Sequence, residues 1–413
     1  MSETGPHGGL TVRVTTSLKG VPAADWDACA NPGAAATLES TSQAANSFSQ
    51  EDPDNPFISH AFLRALEESG CVGGRSGWSP AYLLVEDAAG RLIAAAPSFV
   101  KGHSQGEYVF DHSWAEAYMR AGGRYYPKVQ VAAPFTPANG PRLLVAEGPR
   151  ENEAREALIA GLEAVREQVR GSSVHVTFAQ EMDMAALLEA GYLERHDIQF
   201  HWRNEGFASY DDFLATLASR KRKALKRERR EALSAGIEVS VLSGSDLTES
   251  VWDDFHAFYE DTGSRKWGRP YLNRRFFSEI GQSMGERVVL VLARRAGRNI
   301  AGAINFRGGN TLYGRNWGCI EDHPFLHFEL CYHQAIDYAI AHKLVRVEAG
   351  AQGEHKLARG YRPVITRSAH FLADPGLARA VAAYLPGERR EIAAAKLALE
   401  AELPFRSGAD LAD

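Results

Sequence analysis

A dense run of basic residues lies in the middle of the chain, within the segment SRKRKALKRERREALSAG. Eight of the eleven residues from Arg220 to Arg230 are Lys or Arg, although the formal net charge of the chain is −6. Guanidinium and ammonium groups without acidic neighbours suit phosphate oxygens, whereas a purely solvated helix face, which is the alternative, usually mixes both signs of charge. The predicted phosphate-binding residues are Arg220, Lys221, Arg222, Lys223 and Lys226.

The basic run is predicted to lie on one helix of more than twenty residues. Asp211 and Asp212 suit its first turn, and Gly236 suits its end. No aromatic residues alternate with the basic ones, so the run itself lacks the stacking residues with which proteins read RNA. The residues predicted to form its packed face are Phe213, Leu214, Leu217, Ala218, Leu225 and Leu233.

A second group of chemically useful residues lies in the segment DHSWAEAYMRAGGRYYPKVQVAAPFTPANGPRLL, residues 111–144. Aromatic rings stand beside hydrogen-bonding groups here without the spacing of a core helix or strand. Folds often acquire binding sites through long insertions of this kind, although a small satellite core under a loop is the alternative. The predicted substrate-binding residues of this segment are Asp111, His112, Trp114, Tyr126 and Lys128.

A third group lies in LYGRNWGCIEDHPFLHFEL and VEAGAQGEHKLARGYRP. Pro324 prevents His323 and His327 from lying on one regular helix, so their spacing makes a poor metal pair. Glu329 either faces a cleft at a helix start, where backbone N–H groups favour anions, or simply flanks the helix. His355 also lies near a helix start, where many histidines are caps. The other candidates in these segments are Arg315, Asn316, Trp317, Glu348 and Tyr361.

The composition excludes several classes of protein. The chain has 413 residues, of which 45% are hydrophobic and 24% charged, and it contains no apolar run long enough to cross a membrane. The N-terminus shows no secretion signal. Four scattered cysteines without a CxxC pair argue against a disulfide scaffold or a zinc site, and no HExxH, GxxxxGK(S/T), GxSxG or GxGxxG motif is present. We therefore expect a cytoplasmic protein of two domains.

An internal repeat organises most of the chain. The segments GRLIAAAPSFVKGHSQGEYVF (from Gly90) and GRNIAGAINFRGGNTLYGRNW (from Gly297) both predict strand, turn and strand. A helix, a short strand, a second helix ending in Gly-Tyr and a final strand follow in each half. The order β-β-β-α-β-α-β therefore occurs twice, and the first copy carries residues 111–144 as an extra segment.

This organisation resembles the FemAB-like aminoacyltransferases, which carry two tandem copies of the GNAT acyltransferase fold. The closer resemblance is to a bacterial family of predicted N-acyltransferases called peptidoglycan biosynthesis/recognition proteins. The segments that carry the resemblance are NPFISHAFLRALEESG, DHSWAEAY, YYPKVQVAAPFTPANGPRLL, RKRKALKRERR, LYGRNWGC and GAQGEHKLARGYRP, between about residues 55 and 372.

The resemblance implies an α/β fold of duplicated GNAT-like domains and the transfer of an activated acyl group to an amine. It implies that Glu348 and His355 move the proton of the attacking amine and that Arg315 attends the reacting centre. The acceptor would be a small-molecule or peptide amine, and the donor acyl-CoA or aminoacyl-tRNA. A lipid-linked precursor or an anionic membrane surface are further partners for the basic run. The usual glycine-containing turn for the coenzyme A pyrophosphate is missing, because the corresponding region reads CIEDHPFLHFEL.

Four segments are predicted: 1–55 with a strand and a small polar loop (31–55), a first domain 56–205, a second domain 206–375, and a helical tail 376–413 folded as a helix pair against the second domain. The active site is expected in the cleft between the two domains, and a non-catalytic protein that recognises a cell-wall fragment or peptide in this inter-domain cleft is the alternative function. The donor, the acceptor and the oligomeric state stay open.

Overall fold

The strands follow the predicted repeat closely. In a computed structural model, residues 9–33, 52–266, 270–350 and 353–406 are described, so most of the predicted polar loop lies outside the described residues. The strands are β1 Thr11–Thr15, β2 Trp78–Pro80, β3 Tyr82–Glu86, β4 Leu92–Ala96, β5 Ser98–Lys101, β6 Lys128–Val131, β7 Leu144–Val145, β8 Ser173–Val176, β9 Leu193–Arg203, β10 Ile237–Leu242, β11 Val288–Arg295, β12 Arg298–Arg307, β13 Thr311–Cys319, β14 Arg346–Glu348 and β15 Arg362–Leu372.

Helices alternate with these strands, as expected for a mixed α/β protein. The α-helices are α1 Ala23–Ala30, α2 His60–Glu68, α3 His112–Arg120, α4 Glu151–Gln168, α5 Glu181–Glu189, α6 Tyr210–Ala215, α7 Ser219–Ala232, α8 Glu249–Lys266, α9 Arg274–Met284, α10 Leu326–Phe328, α11 Gln334–Ala341 and α12 Pro375–Ala401. A π-helical turn, Glu329–His333, joins α10 to α11, and short 3₁₀ turns lie at Leu18–Gly20, Pro56–Ile58, Gly244–Asp246, Gly285–Arg287 and Glu354–Arg359. None of the described helices has the length and apolar character needed to span a bilayer.

The two copies of the repeat share their backbone landmarks. Gly90 and Gly297, at the two Gly-Arg turns, have φ of 77° and 79°, and the glycines of the two Gly-Tyr pairs, Gly191 and Gly360, have φ of 87° and 82°. Glycine adopts these left-handed conformations without a steric penalty. In each copy a strand that precedes the first helix of the repeat pairs in parallel with the strand that follows this helix, β6 with β8 and β13 with β14; in the first copy the short β7 lies between β6 and the helix. The predicted tandem α/β organisation is confirmed.

One strand of the first copy was assigned to the wrong residues. The sequence predicts the third strand at residues 107–110, but these form no strand, and the equivalent of β13 is β6. The extra segment of the first copy therefore lies before this strand, at 102–127, and not at 111–144. Instead, Glu107 and Asp111 accept hydrogen bonds from the buried Lys128, a contact between side chains that the local sequence pattern does not show.

The chain forms two compact units. Unit 1 contains residues 1–39, 53–197 and 365–394, and unit 2 contains 40–52, 198–364 and 395–413. The final strand of each repeat is divided between the units. The first part of β9, up to residue 197, belongs to unit 1 and the rest to unit 2, whereas β15 belongs to unit 2 up to residue 364 and to unit 1 from residue 365. The predicted domains 56–205 and 206–375 describe the two copies of the repeat and stay a prediction. The compact units have different bounds, because each includes part of a final strand.

Unit 1 contains two sheets. One has the order β1-β3-β4-β7, and the other contains β15-β8-β6-β5-β2 in that order. The strand that starts at Leu92 changes sheet at Pro97, whose missing N–H cannot continue the ladder. Helix α4 packs on the first sheet, where Leu158 and Leu162 are completely buried.

The C-terminal tail differs from its prediction. The structure has one helix, α12, with Pro386 inside it, instead of a helix pair. Val381 and Leu385 pack in unit 1 against Trp114 and Tyr125, not on the second domain. Within the described part of the tail, the end of α12 and the residues after it, with Leu399, Leu403 and Phe405, pack in unit 2.

The sheet of unit 2 has the order β10-β11-β12-β13-β14-β9. The predicted long basic helix is divided into α6 and α7, because Leu217 forms a β-bridge with Phe405. The backbone N–H of Ala218 donates to Pro404 O, and that of Arg406 donates to Thr216 O. The packed face is largely as predicted. Its fully buried members are Phe213, Leu214, Leu217 and Leu225.

Candidate functional site

A short parallel strand pair marks the candidate site in unit 2. Strands β13 and β14 pair only between Thr311–Tyr313 and Arg346–Glu348, where β14 ends, while β13 continues to Cys319. Gly314 is the first residue of β13 beyond this pairing, and a Cβ there would meet the carbonyl oxygen of Glu348 at 3.5 Å. The parallel pairing of the two strands therefore ends at Tyr313 and Glu348. Loops at the carboxyl ends of such strands are frequent places for substrates.

Glu348 lies at this end of β14 and is 3% exposed. Its Oε1 is 3.3 Å from Arg346 Nε, and its Oε2 is 3.8 Å from His201 Nε2. Burial holds the pKa of His201 well below its ordinary value, so that ring is neutral. Glu348 therefore has a structural ion pair with Arg346, and its predicted role in proton transfer stays a prediction.

Lys356 is the residue here that sequence reasoning missed. It is 3% exposed, and its Nζ donates to the carbonyl oxygen of Gly350 at 3.0 Å and lies 5.6 Å from the ring centroid of Phe200. Among the described residues, no carboxylate forms an ion pair with it. Burial lowers the pKa of Lys356 to about 7. Near neutral pH this amine therefore exists in both protonation states, which is the property of a general acid–base group.

An aromatic cluster surrounds the 3₁₀ turn Glu354–Arg359, with members on this turn, on the π-helical turn, on α10 and on β13. The Oη of Tyr332 and Nε2 of His355 are 2.9 Å apart, and the ring of Phe328 lies 5.4 Å from that of His355. His355 is exposed, and most of the other rings are half-buried. The members of the aromatic cluster are Trp317, His327, Phe328, Tyr332 and His355.

The neighbouring candidates have different surroundings. Arg315 and Asn316 are half-buried on the part of β13 that extends beyond its pairing with β14. Tyr361, in contrast, is completely buried in the hydrophobic core and packs edge-on against Tyr332. Its predicted contact with a substrate does not fit this position, because the core surrounds its ring.

Two ion-pair groups hold α7 to the helix that contains the π-turn. Glu228 accepts hydrogen bonds from Arg359 at 2.8 and 2.6 Å and lies 2.8 Å from His333 Nε2. Arg229 donates to the carboxylates of Glu329 and Asp337 at 2.7 to 3.1 Å. These bonds fix which face of α7 is turned inward.

Glu329 was predicted to contact a substrate or to flank the helix, and its surroundings in the structure favour the second role. Its side chain is completely buried, and its oxygens accept hydrogen bonds from Arg229 and Gln334. A buried carboxylate is stable only with such partners. Glu329 is therefore a partner of the basic helix rather than an open binding group.

The outward face of α7 carries the predicted phosphate-binding residues. Arg220, Lys221 and Lys223 are exposed, and Arg222 is half-buried. Within the described parts of the chain, none of these four forms an ion pair, whereas Lys226 pairs with Asp211 at 2.8 Å. The four cations lie in the first turn and a half of the helix, where backbone N–H groups also favour anions. Their predicted phosphate contacts stay a prediction.

The candidates of unit 1 form a buried charge network instead of an open site. Lys128 donates to Asp111 at 2.5 Å, to Glu107 at 2.7 Å and to Ser104 at 2.8 Å. Burial opposes the ionisation of Asp111, but the Lys128 ammonium outweighs it and holds the pKa of this carboxyl below its ordinary value. Asp111 and Lys128 are 1% and 0% exposed, and their predicted contact with an acceptor stays a prediction.

The other candidates of the extra segment surround this network. His112 is exposed at the start of α3, Trp114 packs 5.0 Å from the ring of His370, and the half-buried Tyr126 has its Oη 2.9 Å from Ser104 Oγ. The sequence did not predict Lys101, whose pKa burial lowers to about 7 although Glu107 is near. The alternative of a satellite core describes this segment better.

Two histidines that sequence reasoning missed also join the network. His175 and His370 lie opposite each other on β8 and β15, with their Nδ1 atoms 2.6 Å apart. Burial lowers the pKa of His175 to about 3 and holds that of His370 well below its ordinary value. One neutral ring therefore donates to the other. Among the described residues, no group of three or more His, Cys, Asp or Glu side chains has an arrangement that holds a metal ion.

Comparisons with solved structures establish the fold. FemX is similar over 83% of this chain and 99% of its own, with 11% identity and a TM-score of 0.51. A tandem GNAT protein from the clavulanic acid biosynthesis pathway has 12% identity and a TM-score of 0.45, over 89% of this chain and 99% of its own. The C-terminal domain of a putative lysylphosphatidylglycerol synthetase from Agrobacterium fabrum has 11% identity and a TM-score of 0.47, over 81% and 92%.

Sequence comparison identifies the family. No curated protein sequence matches the chain. The model of the FemAB-like family, described as peptidoglycan biosynthesis/recognition, matches residues 17–407 and so covers both copies of the repeat. With its fold shared with FemX, this protein belongs to the FemAB-like family.

Proposed function

We propose that this protein is an acyl- or aminoacyltransferase whose reacting centre lies in unit 2. It transfers an activated acyl group from a phosphate-bearing donor, acyl-CoA or aminoacyl-tRNA, to the amine of a small molecule or peptide. The observation that carries the proposal is the buried amine of Lys356 without a described carboxylate partner, close after the end of β14. Membership of the FemAB-like family supports the reaction class.

The reaction requires one proton to move. When the acceptor nitrogen attacks the acyl carbon, a C–N bond forms and the C–S or C–O bond to the donor breaks. The proton of the nitrogen passes to the neutral Nζ of Lys356 and then to the leaving sulfur or oxygen. With a pKa of about 7, the group accepts and releases this proton at similar cost.

The neighbouring residues supply the other roles. His355 shares a hydrogen bond with Tyr332 and is the second candidate for proton transfer. Arg315 and Asn316 lie on the part of β13 beyond its pairing with β14 and are candidates to donate hydrogen bonds to the oxyanion that forms during acyl transfer. Arg346 compensates the negative charge of Glu348. We therefore assign Glu348 the role of orienting the end of β14 and not the role of the general base.

The phosphates of the donor are assigned to the start of α7. Arg220, Lys221, Arg222 and Lys223 have no acidic partner among the described residues, and ion pairs on the opposite face hold the helix in place. Lys226 contributes less, because Asp211 already compensates its charge. A cationic helix start of this kind takes the place of the glycine-containing pyrophosphate turn that the sequence lacks.

The experiment is a transfer assay with labelled acetyl-CoA and, in parallel, labelled aminoacyl-tRNA, against panels of small amines and cell-wall peptides. Lys356→Met should lower kcat/KM by about 10²- to 10⁴-fold, the usual contribution of a general acid–base group. Lys101→Met is the matched control, because Lys101 is also buried with a pKa of about 7 but belongs to unit 1. It should change stability and leave the rate of the folded protein unchanged.

The pH profile separates a base from a structural lysine. In the wild type, kcat/KM should rise with pH, be half-maximal near pH 7 and level off at higher pH, because only the neutral amine accepts the proton. A wild-type rate in folded Lys356→Met would overturn the role of this residue. Saturable donor binding without transfer to any acceptor would instead favour the alternative, a non-catalytic binding protein.

A further inference from the structure

A groove runs between helices α4 and α5 of unit 1, with a cavity volume of about 690 Å³. Its lining residues recur at helical spacing, at 152, 155, 156, 159, 160 and 163 on α4 and at 182, 185, 186 and 189 on α5. Residues three or four apart share one face of a helix, so each helix contributes one face to the groove. From Asn152 to Glu163 the groove extends about 16 Å along α4 at roughly 1.5 Å per residue, which is the length of about three helical turns.

The floor of the groove is apolar and consists mainly of small side chains. Ala160 and Ala185 are exposed there, Ile159 is 6% exposed, and Met182 leaves 54% of its surface exposed. Small side chains allow a further helix to pack closely against the two helices of the groove. Grooves of this kind bind the apolar face of an amphipathic helix, whose contacts recur at i, i+3, i+4 and i+7.

The rim of the groove is acidic, and its charges are not compensated. Glu156, Glu163 and Glu189 line the groove, and none of them forms an ion pair within the described parts of the chain. Burial raises the pKa of Glu163, although the charge of Arg166 opposes this effect. Cations supplied by an occupant would compensate these three carboxylates, so the charge of the rim favours a basic partner.

Arg155 is a second, independent feature that calls for an occupant. It lines the groove, is only 8% exposed, and has its Nε buried without a hydrogen-bond partner. Among the described residues, its one ion pair is with Glu151, at 3.5 Å, and none accepts a hydrogen bond from its guanidinium. A buried cation without acceptors costs free energy. The carbonyl oxygens at the C-terminal end of a helix, which have no partners within that helix, would supply the missing acceptors.

The basic helix α7 of a second copy is a poor match for this groove. Its cations are exposed, but Leu225 is 4% exposed and packs in the core of unit 2, so α7 has no exposed large apolar side chain to cover the floor. The occupant has to combine apolar and cationic residues on one helix, and α7 presents only the cations.

We propose that the groove between α4 and α5 binds a cationic amphipathic helix of a protein partner. The apolar side chains of this helix pack on the floor, its Lys and Arg side chains pair with the glutamates of the rim, and its last carbonyl oxygens accept hydrogen bonds from Arg155. The surface belongs to unit 1 and does not depend on the acyl transfer proposed for unit 2.

The test uses synthetic helical peptides and the full-length protein. The first probe is a fluorescein-labelled peptide of about four turns, with Leu and Ala at i, i+3, i+4 and i+7 and Lys on both flanks. The second has Glu in place of every Lys, and the third has the composition of the first in an order without helical spacing. Fluorescence anisotropy at about 0.15 M KCl should show the first peptide binding at least about tenfold more tightly than the other two.

Variants of the protein locate the bound peptide. Glu163→Lys should weaken the binding of the cationic peptide about tenfold, because it replaces an attraction by a repulsion. Glu167→Lys is the matched control, because Glu167 is exposed on the same helix outside the groove and the change in net charge is the same. Arg155→Met should also weaken binding. Since it removes a buried charge that lacks hydrogen-bond partners, it should not lower the free energy of unfolding.

Each outcome has one meaning. Selective binding of the cationic amphipathic peptide that is lost in Glu163→Lys and kept in Glu167→Lys supports the surface. Equal binding of the three peptides, no binding, or equal effects of the two glutamate variants overturns it. Sedimentation velocity tests the remaining occupant. A wild-type dimer that Glu163→Lys dissociates and Glu167→Lys does not would assign the groove to a second copy of the chain and overturn the helix of another protein.

Discussion

Arg359 and Glu228 form a two-pronged ion pair, with Nε and Nη2 of the arginine 2.8 and 2.6 Å from the two carboxylate oxygens. Their side chains are 6% and 11% exposed. This pair joins the 3₁₀ turn that carries Lys356 and His355 to the basic helix α7. It therefore couples the position of the proposed acid–base group to the orientation of the phosphate-binding cations.

The first prediction concerns this pair. Arg359→Met should lower the free energy of unfolding by about 3 kcal/mol, because it leaves a largely buried carboxylate without its cation. Arg362→Met is the control, since Arg362 and Glu205 form a partly exposed pair that should contribute less than about 1 kcal/mol. Urea denaturation followed by circular dichroism measures both.

A double-mutant cycle separates the pair from the individual side chains. Glu228→Gln combined with Arg359→Met should cost clearly less than the sum of the two single changes, because no unpaired charge is left. Additive losses would show that the two residues act independently, contrary to the structure.

The second prediction concerns the stability of the protein at acidic pH. The unfolded chain protonates His175 and His370 near pH 6.5, whereas burial holds the pKa of His175 at about 3 and that of His370 well below its ordinary value. The unfolded state therefore binds more protons, and stability should fall as the pH falls below about 6.5, by up to roughly 1.4 kcal/mol per unit for each histidine. Asp111, Lys128 and Arg195 are the charged groups near this pair. The pKa of Asp111 is held below its ordinary value and that of Lys128 above it, so neither group titrates between pH 6.5 and 5.

Thermal unfolding at pH 6.5 and 5 checks this prediction. His175→Phe combined with His370→Phe should flatten the dependence on pH even if it changes the stability at neutral pH. His112→Ala removes an exposed histidine of the same unit and should leave the slope as it is in the wild type. A wild-type slope in the double variant would disprove the assignment.

The third prediction distinguishes a buried network from a substrate site. Asp111→Asn should lower the free energy of unfolding by about 3 kcal/mol, because Lys128 is completely buried and Asp111 and Glu107 are its anionic partners. It should leave the KM for the acceptor unchanged in the folded protein. A raised KM without a loss of stability would return Asp111 to the role that the sequence predicted.

The fourth prediction concerns the dependence of tRNA binding on salt concentration. Changing Arg220 and Lys223 to Ala should weaken the binding of tRNA and lower the slope of log K against log salt by about 0.7 to 0.9 for each phosphate contact removed. Arg227→Ala is the matched control on the same helix, because Arg227 pairs with Glu231 at 3.4 Å. Filter binding between 50 and 200 mM KCl measures the slopes. Equal slopes in the double variant and the wild type would exclude these cations as phosphate contacts.

The sequence by itself determined the tandem fold and the presence of an accessible basic helix. The Gly-Arg and Gly-Tyr pairs repeat along the chain, and in the structure their glycines have matching left-handed backbones. The row of basic residues between the repeats could only place most of its side chains in water, because charged groups without partners are not buried. These are local features, set by a residue and its near neighbours along the chain.

The tertiary structure decided what the candidates do. Lys128 meets Glu107 and Asp111 inside unit 1, and His175 meets His370 although 195 residues separate them in sequence. The basic helix is interrupted by a bridge to Phe405, far along the chain. The burial of Lys356, and with it the low pKa of its amine, depends on the packing of a 3₁₀ turn. Desolvation and ion pairing arise from contacts between distant segments, so no periodicity or spacing in the sequence reveals them.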